Sequence, residues 1–338
     1  MTSLFLLLLS RQRCCIMIVV MMLLSTIPLT STRSVSLLLP TTLPTLSPTH
    51  RPSRSPTMSI PTHSPTSPCT MPTQQYDALF ELYTSTNGPG WSKICNNWVF
   101  SSTTPDYSAP CNGQWHGITC NSQCDVTGLN VQHCRLIGTI PSQLGNMTSM
   151  IDLYLNSNSL TGTIPSQLGY VIGMKYLYLY SNSLTGTIPP QLGSMTSMIN
   201  LYLFSNSLTG TIPSQLGSMT GMRYLLLYGN SLSSSVPSQL GLLTNLTYLY
   251  LNDNGMTGTI PSQIFLITTL TSLDLSDNHF TGEVPSGIRN LTKLSYLYLS
   301  SNRLSGTVPS ALESLTQLIS LDLSNNRYQN HYHYNYYY

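Results

Sequence analysis

The feature that most constrains this chain is a strict period. An asparagine or cysteine returns every 24 residues, at Cys134, Asn158, Asn182, Asn206, Asn230, Asn254, Asn278, Asn302 and Asn326. Around it leucine, glycine and Ile-Pro recur while intervening residues vary. A short repeat cannot enclose a core alone, so such a chain must stack its copies and bury one layer against the next. In the unit around Asn206, Leu201 and Leu203 are two apart and share one side of a strand, leaving Tyr202 and Phe204 on the other. Leu208, Ile212 and Leu216 continue the core through the return path. Asn206 stands where the strand ends, and its amide can satisfy backbone groups of the bend, so the stacked asparagines are expected to form an internal ladder. Gly210 suits a bend that disfavours a side chain, and Pro213 a place where no donor is needed.

The spacing L-x-x-L-x-L-x-x-N/C-x-L, with its tail L-T-G-T-I-P-S-Q-L-G, resembles the plant-type leucine-rich repeat of receptor-kinase ectodomains and polygalacturonase-inhibiting proteins. The resemblance spans residues 73–326. It implies an α/β solenoid, a right-handed horseshoe or superhelix with 24-residue repeats, a parallel concave sheet, a second short strand near L-T-G-T-I, short helical turns on the convex side, and a disulfide-bearing N-terminal cap. One unit departs from the pattern: "SLSSSVP" puts Ser234 in the glycine's place, which predicts an irregular second strand there. The transmembrane helix and kinase domain that the family's receptor kinases carry after their repeats are not found in this sequence, so no phosphorylation activity is expected.

Only 7% of the 338 residues are charged and the net charge is +2, with no basic stripe in the repeats, which excludes an electrostatic footprint for nucleic acid. The apolar run from Cys14 to Leu24, preceded by Arg11 and Arg13, is shorter than the about 20 residues of a membrane span. Residues 1–30 are therefore expected to be a signal peptide, or a signal anchor that leaves the repeats outside the cell. Residues 31–72 are rich in Ser, Thr and Pro and read as a disordered, O-glycosylated stalk or a plain linker. Residues 73–125 form the expected cap, 126–327 the solenoid of about nine units with the last incomplete, and 328–338 a tail rich in Tyr, His and Asn.

In the cap, "TQQYDALFELYTSTN" reads as an amphipathic helix with Thr73 as N-cap and Leu79, Phe80 and Tyr83 on one side. Trp91, Trp98 and "CNGQWHGITC" resemble the plant N-terminal cap, with a longer spacing between Cys111 and Cys120 than the family's usual form. In an oxidising compartment a Cys111–Cys120 disulfide is expected. Cys124 can pair with Cys134, or Cys134 can stay buried and free in the asparagine's phase; the partners of Cys69 and Cys95 stay open. No C-x-x-C pair is present, and no metal site or cofactor is expected. Asn146, Asn245 and Asn290 head N-glycosylation sequons, all in the return path rather than at outward strand positions.

The variable strand positions are aromatic. Tyr154, Tyr178, Tyr202, Tyr250 and Tyr298 share one phase with Asp274; Tyr176, Tyr224, Tyr248 and Tyr296 share another; Tyr180, Phe204 and Tyr228 a third. Such columns suit recognition, since tyrosine offers rigid apolar area with a polar tip. They equally suit a strand whose rings merely stack on each other. Asp253, Asp274, Asp277 and Asp322 make the C-terminal half of the face acidic. No nucleophile elbow, phosphate loop or H-E-x-x-H occurs, so no catalysis is expected. The expected function is extracellular or cell-surface binding of a protein, peptide or glycan through the concave face, receptor-like, with a membrane co-receptor as a further partner. The alternatives are a structural wall, matrix or adhesion glycoprotein and an inhibitor of a secreted polysaccharide-degrading enzyme.

Overall fold

A computed structural model describes residues 69–101 and 103–329 and the backbone of the strand Tyr336–Tyr337. The signal or anchor segment 1–30, residues 31–68 of the expected stalk, and most of the 328–338 tail lie outside the described residues.

One repeat shows how the others are made. The strand Asn200–Tyr202 is followed by the strand Thr209–Gly210 and the 3-10 turn Ser214–Ser218. Leu201, Leu203, Leu208 and Leu216 are fully buried and Ile212 nearly so, as the spacing requires. Strands at the phase of Asn200–Tyr202 pair in parallel with their neighbours, setting Leu129, Leu153, Leu177, Leu201, Leu225, Leu249, Leu273, Leu297 and Leu321 side by side. The pairing offset equals the sequence period, so every phase becomes a straight column across the sheet. The strand Ile118–Cys120 pairs antiparallel at one edge and Tyr336–Tyr337 at the other, completing an 11-stranded sheet. The second strands form their own parallel sheets, of five and two strands, joined by bridges at Thr163–Thr185 and Thr187–Thr209.

The asparagines form the expected ladder. Asn206 Nδ2 donates to the carbonyls of Leu203 (3.1 Å) and Phe204 (3.3 Å) in its own repeat and of Leu179 (3.0 Å) in the preceding one, while Oδ1 accepts from Leu184 N at 3.0 Å. The same contacts recur from Asn158 to Asn326. A buried backbone group left unpaired costs about 1–3 kcal/mol, so each rung secures a bend that the core could not otherwise enclose.

Gly210 adopts φ +76°, where side chains are disfavoured. Ser234, at the same phase, takes φ +67°. The strand Ser231–Ser234 pairs with Thr209–Gly210 on one side and Gly255–Thr259 on the other. The expected irregularity is therefore replaced by local backbone strain, about 1–2 kcal/mol for a side chain in that region. Another substitution is compensated across the stack. A Cβ on Gly241 would lie 2.5 Å from the Gln263 carbonyl oxygen, and one repeat later Phe265 fills the glycine's phase because Gly287, in glutamine's phase, leaves room for its ring.

At the N-terminal end a helix, α1, spans Thr73–Ser85 after Pro72, so Thr73 is its first residue and not its cap. It buries Gln75, Tyr76, Ala78, Leu79 and Leu82 against the first repeat. Phe80, expected on the buried side, is 43% exposed and meets Phe100, and Tyr83 packs half-buried on Trp91. Trp98 stacks on Trp115 at 5.3 Å. Three disulfides join Cys69–Cys124, Cys95–Cys134 and Cys111–Cys120. The expected Cys124–Cys134 pair is not formed, and Cys134 is not free. Cys134 is wholly buried in the asparagine's phase, with its Cα 5.7 Å from that of Cys95, so its sulfur is spent tying the cap to the first repeat. Cys69 and Met71 belong to this cap as well: Met71 is buried and its N–H donates to the Tyr107 carbonyl. The ordered cap thus begins inside the segment expected to be stalk.

Candidate ligand-binding face

In-phase pairing gives the outward face of the long sheet three columns. The middle one runs Tyr154, Tyr178, Tyr202, Leu226, Tyr250, Asp274, Tyr298, Asp322. The column before it runs Asp152, Tyr176, Asn200, Tyr224, Tyr248, Ser272, Tyr296. The third holds Asn156, Tyr180, Phe204, Tyr228 and Asn252.

Neighbouring rings are one strand apart and stack. Centroids are 4.4 Å apart for Tyr178–Tyr202, 4.3 Å for Tyr180–Phe204, 4.4 Å for Phe204–Tyr228 and 4.8 Å for Tyr224–Tyr248, with planes within 11° of parallel. The stacking covers the ring faces. Tyr202, Phe204 and Tyr228 are buried, as is Asp274, whereas Tyr154, Tyr176, Tyr178, Tyr224, Tyr248, Tyr250, Tyr296 and Tyr298 are half-buried. What an incoming molecule meets is therefore phenol edges and hydroxyls around a packed aromatic centre. Burial raises the pKa of Tyr154, Tyr178, Tyr180, Tyr202 and Tyr224, which keeps these hydroxyls neutral and able to donate.

Polar side chains that the tyrosine pattern did not single out are threaded through this face. Asn200 Nδ2 donates to the hydroxyls of Tyr178 (2.9 Å) and Tyr202 (3.3 Å), leaving its Oδ1 buried without a partner. Asp152 Oδ1 and Asn252 Oδ1 are in the same state. Their signal lay in the phase: Asp152 and Asn200 occupy the column of Tyr176 and Tyr224. Tyr250 shares a hydrogen bond with Ser272 at 2.9 Å. Asp274 accepts from Ser276 N (3.0 Å) and Ser276 Oγ (2.7 Å). Burial, with a smaller push from Asp277 and Asp322, raises its pKa to about 6 against those hydrogen bonds.

The second sheets present a different surface, with exposed threonines on both sides of a glycine, as in Thr161-Gly162-Thr163, Thr185-Gly186-Thr187, Thr209-Gly210-Thr211 and Thr257-Gly258-Thr259. Thr185, Thr209 and Thr281 each donate to the carbonyl of a glycine in the preceding repeat at 3.3 Å, so their rotamers repeat. The methyls of Thr163, Thr187 and Thr259 sit where a Cβ on the next glycine would be, 2.8–2.9 Å away.

Cys95, Cys134 and His116 lie within 4.8 Å of one another, but both sulfurs are bonded to each other and offer no thiolate. Asn146, Asn245 and Asn290 are exposed on the return path, as the sequon positions predict, although Asn245 Nδ2 donates to the Thr220 carbonyl at 2.9 Å. Among the described residues no helix is long and apolar enough to cross a membrane.

Two family models match the sequence, a leucine-rich repeat region over residues 207–335 and the Leucine Rich Repeat over 125–147, 149–171 and 173–195. The chain is a leucine-rich repeat protein. Its repeats are of the plant type, and it is similar to several solved plant structures. The plant peptide hormone receptor RGFR1, in complex with RGF2, is 33% identical over 61% of this chain and 33% of that one, with a TM-score of 0.60. The Arabidopsis receptor kinase HAESA, in complex with the peptide hormone IDA and the co-receptor SERK1, is 29% identical over 76% and 46%, with a TM-score of 0.59. A plant ice-binding protein is 26% identical over 76% and 88%, with a TM-score of 0.62. This leucine-rich repeat protein thus spans 33% of the RGFR1 chain and 46% of the HAESA chain. No curated protein matches its sequence.

Proposed function

We propose that this leucine-rich repeat protein acts outside the cell or at its surface as a receptor-like binding protein without catalysis of its own, taking a peptide ligand on the outward face of the long sheet. The aromatic block with phenol edges turned outward carries this reading, because rigid amphipathic rings give contact area at low entropic cost. Three disulfides suit an oxidising compartment, and the similar receptors RGFR1 and HAESA were solved with peptide hormones. The HAESA complex also suggests a co-receptor as second partner. The test is to select binders to the full chain from a displayed random-peptide library and titrate them against Tyr178→Ala, Tyr224→Ala and Tyr250→Ala. Loss of affinity of about tenfold or more per substitution is expected for rings at the contact. Selected peptides that bind all three variants as tightly as the parent would move the site elsewhere.

A second reading, adhesion to ice, is favoured by the ranks of threonine. Hydroxyl and methyl groups repeat there at about 4.8 Å between strands and about 7 Å along each strand, a lattice of the kind ice presents, and similarity extends over 88% of the ice-binding protein's chain. Inhibited ice recrystallisation by the full chain, lost in Thr185→Tyr with Thr209→Tyr, would support it. Ice growth unaffected by the parent chain would end it.

A further inference from the structure

The long sheet's face carries acceptors that the protein itself does not fill. Asp152 lies on the strand Asp152–Tyr154, and its Oδ1 is buried with no hydrogen-bond partner. The position before it in its column is Gly128, which has no side chain of its own; a Cβ there would be 3.8 Å from Asp152 Oδ2 and 3.3 Å from the Cβ of Thr119 on the next strand. Burial raises its pKa, and Lys175 opposes this only through its electrostatic field. Two strands on, Asn200 Oδ1 is buried and unpartnered, with both phenols beside it already served by its amide. Two strands further, Asn252 Oδ1 is in the same state. One strand beyond that, Asp274 stands between Tyr250 and Tyr298 in its column. Ser276 donates to its Oδ1 from both N and Oγ, and the charges acting on it are the carboxylates Asp277 and Asp322.

Unfilled buried acceptors such as those of Asp152, Asn200 and Asn252 cost free energy, and so does a buried carboxylate such as Asp274 that has hydrogen bonds but only like charges around it. The four form a path that begins and ends with a carboxylate and has amide oxygens between. Asp152 and Asp274 are five strand steps apart, about 24 Å, which is the span of about seven residues of extended chain.

We propose that this face binds an extended peptide bearing two basic side chains about seven residues apart, one held by Asp152 and the other by Asp274, with its backbone crossing the tyrosine block between them. The proposal rests on the peptide-binding reading above and assigns the ligand's charge and length. Arginine fits the ends best, since guanidinium makes paired hydrogen bonds to carboxylate and stacks on aromatic rings. In between, peptide N–H groups donate to Asn200 Oδ1 and Asn252 Oδ1 while phenol hydroxyls donate to its carbonyls. Asp274 is reached by rotation of the neighbouring phenols, a side-chain adjustment of the kind common on binding.

The test uses the full chain and three fluorescent peptides of uncharged linker sequence. One has about eight residues with arginine at each end, the second is half as long with the same two arginines, and the third replaces both arginines of the long peptide with glutamate. The long arginine peptide should bind most tightly, and Asp152→Asn and Asp274→Asn should each weaken it about tenfold, the worth of one charge-assisted contact. Both substitutions keep size and shape, and thermal melts establish that each variant is folded. The half-length peptide, which reaches one carboxylate at a time, should bind about tenfold more weakly than the long one and lose affinity to one substitution only. Equal binding of arginine and glutamate peptides, or affinity for the long arginine peptide unchanged in both variants, overturns the proposal. If peptides of either charge bind and are displaced by Tyr224→Ala, the peptide-binding reading stands while the charge assignment falls. If none binds and the library yields none, both fall.

Discussion

The two ends of the stack treat the same residue differently. Leu129, in the first strand of the leucine column, is fully buried beneath α1, three tryptophans and three disulfides. Leu321, in the last, is half-buried, as are Leu312 and Leu318 around it, and Ile319 is 51% exposed. The leucine and its phase are the same, so the difference lies in what covers it. In a solenoid a core residue is worth what the next layer removes from water, and stability adds up as interfaces between neighbours.

That comparison can be broken from the middle outward. Leu201→Ala, in a layer covered on both sides, should cost about 3–4 kcal/mol, while Leu321→Ala should cost about 1 kcal/mol. Denaturant melts of the two variants measure this, and equal losses would mean that the end layer is packed as well as the centre. Next in size is the cap. Cys95→Ser with Cys134→Ser removes the bond between cap and first repeat and should cost about 2–5 kcal/mol. Native-state hydrogen exchange should then show amides around Leu129 losing protection towards the level at Leu321; retained protection would credit the helix and tryptophans with the closure. Asn206→Ala orphans backbone groups in two repeats and should cost about 2–3 kcal/mol, against about 1 kcal/mol for Asn326→Ala, one of whose carbonyl partners belongs to the exposed Ser324.

Much of this was readable in the sequence because it is written as period. Leu201 and Leu203 inward, Tyr202 and Phe204 outward, Asn206 as a rung and Gly210 at positive φ all follow from spacing and backbone chemistry. What was not readable depended on contacts between distant residues. Cys69 and Cys95 had no partner that spacing could name, since connectivity is a property of the folded cap. Tyr202 and Phe204 point outward as expected, yet neighbours on both sides cover their rings, an outcome of collective stacking that no single repeat contains. Ser234 kept the strand because a serine can be forced into the glycine's conformation when both neighbours hold it. Asp152, Asn200 and Asn252 were passed over because they interrupt the tyrosine pattern, although on the face they, with Asn156, carry unfilled acceptors.

The smallest effect isolates the carboxylates, where the covering layer again decides. Asp274 and Asp322 share one phase, the first 4% exposed and the second half-buried. The folded chain holds the Asp274 pKa at about 6, above the about 3.9 of an unfolded aspartate. The folded state therefore binds the proton more tightly. That contribution is fully present below about pH 4 and is lost as pH rises through the folded value near 6. Asp274→Asn stays neutral at every pH, so at pH 8 it should be more stable than the parent by up to about 2–3 kcal/mol, with the gap closing below about pH 4. A gap at Asp274 that does not change with pH would place its origin in packing, and a parent melting as well as the variant at pH 8 would mean that the carboxylate already has a counter-charge in the free protein. That outcome would also remove the reason for a basic ligand group to dock there, so the melt decides about the face as well as about the end of the stack.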